Sequence, residues 1–76
     1  MARAYLKIKV ETGKERGIRD RLREMEEVKT ADLTTGDQDL IVVVEAENYE
    51  VLLKCIIEGI RHIEGIESSS TSLALE

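Results

Sequence analysis

The sequence predicts an α+β fold, and three patterns carry that prediction. Polar and apolar residues alternate over residues 3–11, as they do along a half-buried strand. Residues 49–63 carry an apolar stripe at helical spacing. Residues 40–44 form the most apolar run of the chain, and this run is apolar on both faces of a strand. A strand of that kind has to be covered on both sides.

The first predicted strand spans residues 3–11. Its core face consists of alternate side chains: Ala4, Leu6, Ile8 and Val10. A helix over residues 13–26 follows, and Thr12 as its N-cap with Glu15 three residues later fits a capping box. One side of this helix presents an apolar stripe: Ile18, Leu22 and Met25.

The remaining surface of the first helix is charged. Glu15 with Arg19, and Arg16 with Asp20, are i, i+4 pairs of opposite sign, each worth ~0.2–0.5 kcal/mol. A glycine at position 17 lowers the stability of the helix by ~1 kcal/mol relative to alanine, unless close packing against the sheet requires a glycine there. We therefore expect a solvated helix with mixed charge.

A hairpin occupies the middle of the chain. Its first strand spans residues 28–35, with Ala31, Leu33 and Thr35 on one face. Residues 36–38 form the turn, and the second strand spans residues 39–45. Two strands joined this closely have to be antiparallel.

Asn48 is the predicted N-cap of a second helix, which runs to about residue 63. Its wide apolar stripe is the strongest helical signal in the chain: Tyr49, Leu52, Leu53, Ile56, Ile57, Ile60 and Ile63. Gly65 is a natural helix stop. Residues 66–76 form the last predicted strand, in which the alternation is too weak to assign an inward face.

The element order β-α-β-β-α-β predicts a ferredoxin-like sandwich, in which both helices cover one face of a four-stranded antiparallel sheet. Right-handed crossovers place the first and third strands at the centre, which gives the strand order 4-1-3-2. The other face, called the open face below, carries Tyr5, Ile41 and Val43. A back-to-back dimer of two sheets is the economical way to cover it.

The small size of the chain also favours self-association. Its 76 residues form one domain, and a domain of this size buries only ~60% of its unfolded surface. Its core supplies ~3–5 kcal/mol. Cys55 is the only cysteine, which excludes an intrachain disulfide, and no Cys/His cluster suggests a structural metal. Oligomerisation remains as the source of added stability.

Charge and hydropathy exclude several partners. The net charge of −5 argues against nucleic acid as a direct partner, because binding to phosphates needs a basic face. No apolar segment fits a signal peptide, and no run approaches the ~18 apolar residues of a membrane span. We expect a cytoplasmic protein. Charged residues make up 36% of the chain, a composition that is typical of proteins from thermophiles.

An enzyme would have to use Cys55 and His62, the only soft nucleophile and the only imidazole. Seven residues apart on one helix, they lie ~10 Å apart along the axis, beyond the ~3 Å reach of a nucleophile–base pair. Structural or surface roles fit both better. The small dimeric α+β barrel enzymes need acid–base groups or aromatic side chains in a cavity, and this chain has no Phe or Trp and only two Tyr. A metal chaperone needs a Cys-x-x-Cys motif, which a chain with one cysteine does not have. We predict no catalytic, cofactor or metal role.

The turn before the third strand is the candidate for small-molecule binding. Gly36 allows close backbone approach, and Asp37 or Asp39 supplies a carboxylate. A free amino acid is a zwitterion, whose carboxylate seeks N–H donors and whose ammonium seeks an anion. The alternative is a plain hairpin turn, because Gly and Asp are the residues that such turns use.

Three segments resemble one known family: residues 35–42, the helix end at residues 63–66 with the preceding apolar positions, and residues 71–75. With Gly36, Asp39 and the following apolar strand, they are similar to the effector-sensing domain of the Lrp/AsnC transcription regulators, also called the RAM domain. The resemblance covers the chain from about residue 4 to residue 75.

The resemblance implies a ferredoxin-like fold, sheet-to-sheet dimers, and dimers joined into octamers or similar rings. It implies amino acids bound between dimers, with backbone donation at Gly36 and ammonium binding at Asp39. Hydroxyl residues of the last strand in the family match Thr71 and, more loosely, Ser69. The candidate ligand-binding residues are therefore Thr35, Gly36, Asp37, Gln38, Asp39, Ser69 and Thr71.

Two departures from the family pattern shape the functional hypothesis. No helix-turn-helix domain precedes Met1, so the chain resembles a stand-alone sensing domain and direct DNA binding does not transfer. The position before the family aspartate is often aromatic but is Gln38 here, which leaves the ligand side chain open. We expect a non-enzymatic amino-acid-binding module that oligomerises and modulates regulators of the same family. The alternative is an assembly or regulatory subunit without a small-molecule ligand.

Overall fold

A computed structural model of the chain describes residues 1–36 and 39–75. Its elements are strand β1 (Ala2–Val10), helix α1 (Glu15–Arg23), strands β2 (Val28–Leu33) and β3 (Leu40–Ala46), helix α2 (Tyr49–Lys54, continued by a π-helical turn at Cys55–Gly59 and a 3-10 turn at Ile60–His62) and strand β4 (Ile66–Leu73). The strands form one antiparallel sheet in the order β2-β3-β1-β4. This confirms the predicted ferredoxin-like fold and the predicted order 4-1-3-2, read from the other edge.

The core lies between the sheet and the two helices. Along β1 and β3 the even-numbered residues are buried, as the alternation predicts for strands covered by helices on one side. Odd-numbered residues of both strands point to the open face. The largest fully buried side chains are Leu6, Ile8, Leu22, Leu40, Val42, Val44, Leu52 and Ile60.

The start of α1 differs from the predicted capping box. The helix begins at Glu15 with Lys14 at the N-cap position, so the prediction of Thr12 as N-cap was wrong. Glu15 Oε1 accepts a hydrogen bond from the Gly13 N–H, 2.8 Å away. Gly13 has a φ of +91°, and this left-handed residue delays the first helical turn.

The end of α1 is also earlier than expected, at Arg23 instead of residue 26. The chain tightens there into i→i+3 hydrogen bonds, from the Glu24 N–H to the Arg21 carbonyl (3.2 Å) and from the Met25 N–H to the Leu22 carbonyl (3.0 Å). Tightening of this kind is a common way to satisfy the last carbonyls of a helix.

The ion pairs on α1 differ from the i, i+4 prediction. Asp20 pairs with its neighbour Arg19, whose Nη2 lies 3.0 Å from Asp20 Oδ1. Neither the predicted pair of Glu15 with Arg19 nor that of Arg16 with Asp20 forms among the described residues. Arg16 is thereby left without the partner that the spacing predicts.

The second helix begins as predicted, because Asn48 Oδ1 accepts from the Val51 N–H at 2.9 Å. Only part of its apolar stripe is buried in the core. Four members are buried: Leu52, Ile56, Ile60 and Ile63. The other three, called the α2 stripe below, are exposed: Tyr49 (42%), Leu53 (37%) and Ile57 (51%). In a two-layer domain one side of a helix meets the sheet, so a stripe this wide cannot be buried by the chain itself.

The pairing of β4 with β1 assigns the faces that the sequence left open. Thr71 lies opposite Leu6, and Ser69 lies opposite Ile8, so both hydroxyls share the helix-covered face with these core residues. Ser70 lies opposite Lys7 and belongs to the open face.

Gly17 provides a first prediction about stability. An added Cβ at this position would meet no atom within 4 Å, so close packing does not require a glycine there. We expect Gly17→Ala to raise the free energy of unfolding by about 0.5–1 kcal/mol, because alanine loses less backbone entropy in a helix. Urea unfolding at matched protein concentration measures this change. A loss of stability would show that the position is constrained in some other way.

Candidate functional site

The turn between β2 and β3 is described up to Gly36 and again from Asp39. Gly36 has a φ of +102°, a backbone conformation in which glycine is the preferred residue. Thr35 and Gly36 are both exposed. The predicted ligand residues Asp37 and Gln38 lie outside the described residues.

Asp39 is held by the backbone of two neighbouring strands. Its N–H donates to the Ile8 carbonyl at 3.0 Å, and its carbonyl accepts from the Thr34 N–H at 3.0 Å. Its side-chain oxygen Oδ2 accepts from the Val10 N–H at 2.8 Å, next to the register shift between Lys9 and Val10 in the β1–β4 pairing. These contacts fix the carboxylate in place.

The other carboxylate oxygen of Asp39, Oδ1, accepts no hydrogen bond from the described residues. It belongs to a side chain that lines a concave cavity of about 430 Å³ at the same end of the sheet. Small-molecule sites typically have volumes of ~300–1,000 Å³. The residues that line this cavity are Gly13, Glu15, Arg16, Leu33, Thr34 and Asp39.

The topology explains why these residues meet. β1 and β2 both run antiparallel to β3, so their carboxyl ends lie at the same end of the sheet. The start of α1, which follows β1, therefore lies beside the turn that follows β2. The sequence prediction placed Asp39 here but missed Glu15 and Arg16, although the predicted strand order already implied this neighbourhood.

The candidate residues on β4 lie elsewhere in the same chain. Leu40 and Ser69 are both opposite Ile8, one on each side of β1. Two strand spacings of ~4.8 Å therefore separate Ser69 from the beginning of β3. Thr71 lies two residues further along β4, opposite Leu6. Within one chain, β1 therefore separates these hydroxyls from the start of β3 and Asp39.

The open face brings the three candidate dimer residues together. Tyr5 lies directly opposite Val43, and Lys7 lies opposite Ile41 on the same pair of strands. Tyr5 is 42% exposed in the single chain, while Ile41 and Val43 are half-buried. The face thus presents a continuous apolar centre to solvent. At its border, Arg3 Nε donates to Glu45 Oε2 at 2.8 Å.

The possible nucleophile Cys55 is in an unreactive setting. Its half-buried Sγ lies 3.8 Å from Glu27 Oε1. Burial and, after it, the nearby Glu27 carboxylate raise the pKa of the Cys55 thiol to about 11. The thiol is therefore protonated at neutral pH, and a protonated thiol is a poor nucleophile. His62 is exposed at the end of the second helical segment.

The described residues contain neither a metal-binding cluster nor a membrane-spanning helix. Within residues 1–36 and 39–75, no group of three or more His, Cys, Asp or Glu side chains is arranged to hold a metal ion. Nor does any helix in those ranges have the length and apolarity needed to cross a bilayer.

Comparisons with known proteins agree on one family. A family model described as the Lrp/AsnC ligand binding domain matches residues 3–76. The HTH-type transcriptional regulator FL11 of Pyrococcus abyssi is 33% identical over 73 residues, which cover 96% of this chain and 48% of FL11. The chain spans about half the length of the curated relatives that it matches.

Solved structures share the fold of this chain. The hypothetical protein PHS023 from Pyrococcus horikoshii superposes with a TM-score of 0.95 at 37% identity, and the alignment covers 100% of this chain and 92% of PHS023. The structure of FFRP-DM1 also superposes with a TM-score of 0.95 at 37% identity, covering 99% of this chain and 100% of FFRP-DM1.

Proposed function

Because the chain belongs to the Lrp/AsnC ligand-binding-domain family, we propose that it binds a free amino acid and self-assembles, and that it thereby modulates regulators of the same family in the cytoplasm. The domain is a regulatory module of that family. The observation that carries the proposal is the state of Asp39. One carboxylate oxygen is fixed by the Val10 N–H, and the side chain lines a cavity of suitable size. A fixed carboxylate of this kind suits an ammonium group.

Amino-acid binding has support from the same fold in a distant protein. The transcriptional regulator NMB0573 from Neisseria meningitidis was solved as a complex with L-Met. It superposes with a TM-score of 0.84 at 14% identity, so the likeness concerns the fold alone. For this chain, the proposal places the ammonium group at Asp39 and the carboxylate near the backbone of the turn at Thr35 and Gly36.

Dimerisation through the open face completes the cover of the central strands. β3 is buried on its helix side and retains the half-buried Ile41 and Val43 on the other. Apposition of two such faces removes Tyr5, Ile41 and Val43 from water in both copies. At about 25 cal/mol per Å² of apolar surface removed, this burial drives association.

Larger assemblies, such as an octamer, require a second contact. The exposed α2 stripe is an apolar surface on the opposite side of the sheet, where it cannot take part in the sheet-to-sheet dimer. We place the contact between dimers there. Such a contact would also bring β4 of one dimer, with Ser69 and Thr71, into the neighbourhood of another dimer.

Mixed assembly with full-length regulators follows from the same surfaces. The matched region of FL11 makes up 48% of that regulator. A chain that shares its sheet face can replace one copy in a dimer, which changes the composition of the assembly. The proposed partners are therefore Lrp/AsnC-type regulators together with a second copy of this chain.

Asp39→Asn is the test of amino-acid binding. The asparagine side chain retains an oxygen that can accept from the Val10 N–H, but it has no charge for an ammonium group. We expect calorimetric titration with the twenty common L-amino acids to detect binding to the wild type. In Asp39→Asn we expect affinity to fall about 10- to 100-fold, the range for a lost charge-assisted hydrogen bond.

Asp39→Ala is the companion variant, because it removes both roles of the side chain. We expect it to lose binding and also about 1–3 kcal/mol of stability, since the partly buried Val10 N–H loses its acceptor. No binding of any amino acid by the wild type, or equal binding by the wild type and Asp39→Asn, would contradict the site.

An assembly subunit without a ligand is the second candidate, and one observation favours it. Asp39 already has a structural role through the Val10 N–H, so its presence does not by itself require a ligand. That candidate predicts the same oligomer but no change of melting temperature with amino acids. A ligand at 100 times its Kd adds ~2.7 kcal/mol to stability, which a thermal melt detects.

A further inference from the structure

We propose that Arg16 binds the α-carboxylate of an amino acid in the cavity beside Asp39, while Asp39 binds its ammonium group. The inference rests on the proposed function, and it adds a side-chain ligand from α1 to the carboxylate of Asp39. In this role, Arg16 selects for ligands that have a free carboxylate.

The Arg16 side chain does not form the ion pair that its spacing from Asp20 predicts. Its predicted partner Asp20 pairs with Arg19. Two other arginines are also paired, Arg3 with Glu45 and Arg23 with Asp32. Within residues 1–36 and 39–75, the side chain of Arg16 makes no hydrogen bond and no ion pair. Its guanidinium is therefore available to an anion.

The cavity combines groups of opposite charge from separate elements. Arg16 comes from the first turn of α1, and Asp39 precedes β3. Both side chains line the same cavity of about 430 Å³. A guanidinium presents paired N–H donors that match the two oxygens of a carboxylate, and Asp39 presents an acceptor for an ammonium. A zwitterion carries these two complementary groups on one carbon atom.

Neighbouring groups leave this arrangement intact. Glu15 also lines the cavity, but its Oε1 accepts from the Gly13 N–H, and it forms no ion pair with Arg16. Glu15 therefore does not neutralise Arg16 through a salt bridge, and Oδ1 of Asp39 accepts no hydrogen bond from the described residues. Leu33 supplies apolar surface for part of the ligand.

The chain provides a matched control in Arg21. This arginine lies on the same helix, is exposed, and makes no side-chain ion pair among the described residues. It lines a different cavity, with Gly17, Ile18 and Ile63. Arg16→Gln and Arg21→Gln therefore remove the same charge from the same helix, and only the first removes it from the cavity beside Asp39.

The experiment compares amino acids with their carboxamides. Each of the twenty L-amino acids is titrated calorimetrically into wild type, Arg16→Gln and Arg21→Gln, and each one that binds is titrated again as its α-carboxamide. We expect Arg16→Gln to weaken amino-acid binding about 10- to 100-fold and Arg21→Gln to leave it unchanged. We also expect amidation to weaken binding to wild type by a similar factor but to have little further effect on Arg16→Gln.

The outcomes separate the two proposals. If the wild type binds an amino acid and amidation weakens binding equally in wild type and Arg16→Gln, the assignment of Arg16 is overturned while amino-acid binding stands. Equal weakening by Arg16→Gln and Arg21→Gln also overturns it, because the effect is then one of overall charge. Absence of any binding to the wild type overturns the proposed function and this inference with it.

Discussion

Val43→Lys is expected to convert a dimer into a monomer. Val43 lies on the open face between Tyr5 of β1 and Thr30 of β2, in the middle of the apolar surface. A twofold dimer brings two copies of the new lysine into one interface. Removal of an unpaired ammonium from water costs several kcal/mol, and each 1.4 kcal/mol is a factor of ten in Kd. We expect the dimer Kd to rise by about 1,000-fold or more.

Light scattering and sedimentation at micromolar concentration measure this change. The matched control is Val51→Lys, because Val51 is an exposed valine (42%) on the helix side, outside the open face and outside the α2 stripe. We expect that variant to remain a dimer. A monomeric wild type, or a dimeric Val43→Lys with an intact circular dichroism spectrum, would count against the sheet-to-sheet dimer.

Predictions from the sequence succeeded wherever one local pattern determined the outcome. Alternation along β1 and β3 gave the buried face of both strands, since period two is a property of the strand itself. Asn48 as a cap and Gly65 as a helix stop follow from single-residue chemistry. The strand order needed only the element order and the handedness of crossovers.

Predictions failed where two local options competed. Thr12 and Lys14 are neighbours of the same left-handed Gly13, and only the three-dimensional path of the turn selects the N-cap. Arg16 and Arg19 each have an acidic residue at i, i+4 spacing or next to them on α1. Arg19 pairs with the adjacent Asp20, and neither of the predicted i, i+4 pairs forms among the described residues. Differences of this kind amount to a few tenths of a kcal/mol, below what a sequence pattern resolves.

The candidate site was partly predictable for the same reasons. Asp39 stood out because a glycine-containing turn precedes a strand that is apolar on both faces. Its bond to the Val10 N–H depends on where β3 begins: Leu40 pairs with Ile8, so no residue of β3 pairs with Val10, and the sequence pattern does not fix that boundary to one residue. The side chains of Glu15 and Arg16 enter the site through the packing of α1, which brings residues together that lie more than twenty positions apart in the chain.

Gly65→Ala is expected to be the most destabilising of the glycine substitutions. Gly65 has a φ of +103°, which costs about 1–2 kcal/mol for an L-residue with a Cβ. An added Cβ would also lie 2.9 Å from Lys14 Cδ and 3.0 Å from Ile18 Cδ1. The lysine can move aside, but the buried Ile18 is confined by the core. Overpacking of this kind costs a further ~1–3 kcal/mol.

Gly13→Ala separates these two costs. Gly13 also has a positive φ, of +91°, but an added Cβ there would meet nothing within 4 Å. We expect Gly13→Ala to lose only the backbone contribution, about 1–2 kcal/mol, and Gly65→Ala to lose about 2–5 kcal/mol in all. Urea unfolding at one protein concentration compares the two, because dimerisation makes stability depend on concentration. If Gly65→Ala lowers the free energy of unfolding no more than Gly13→Ala does, the close approach of Gly65 to the Ile18 side chain does not constrain the fold. The path from Ile63 into β4 would then owe its shape to backbone conformation alone.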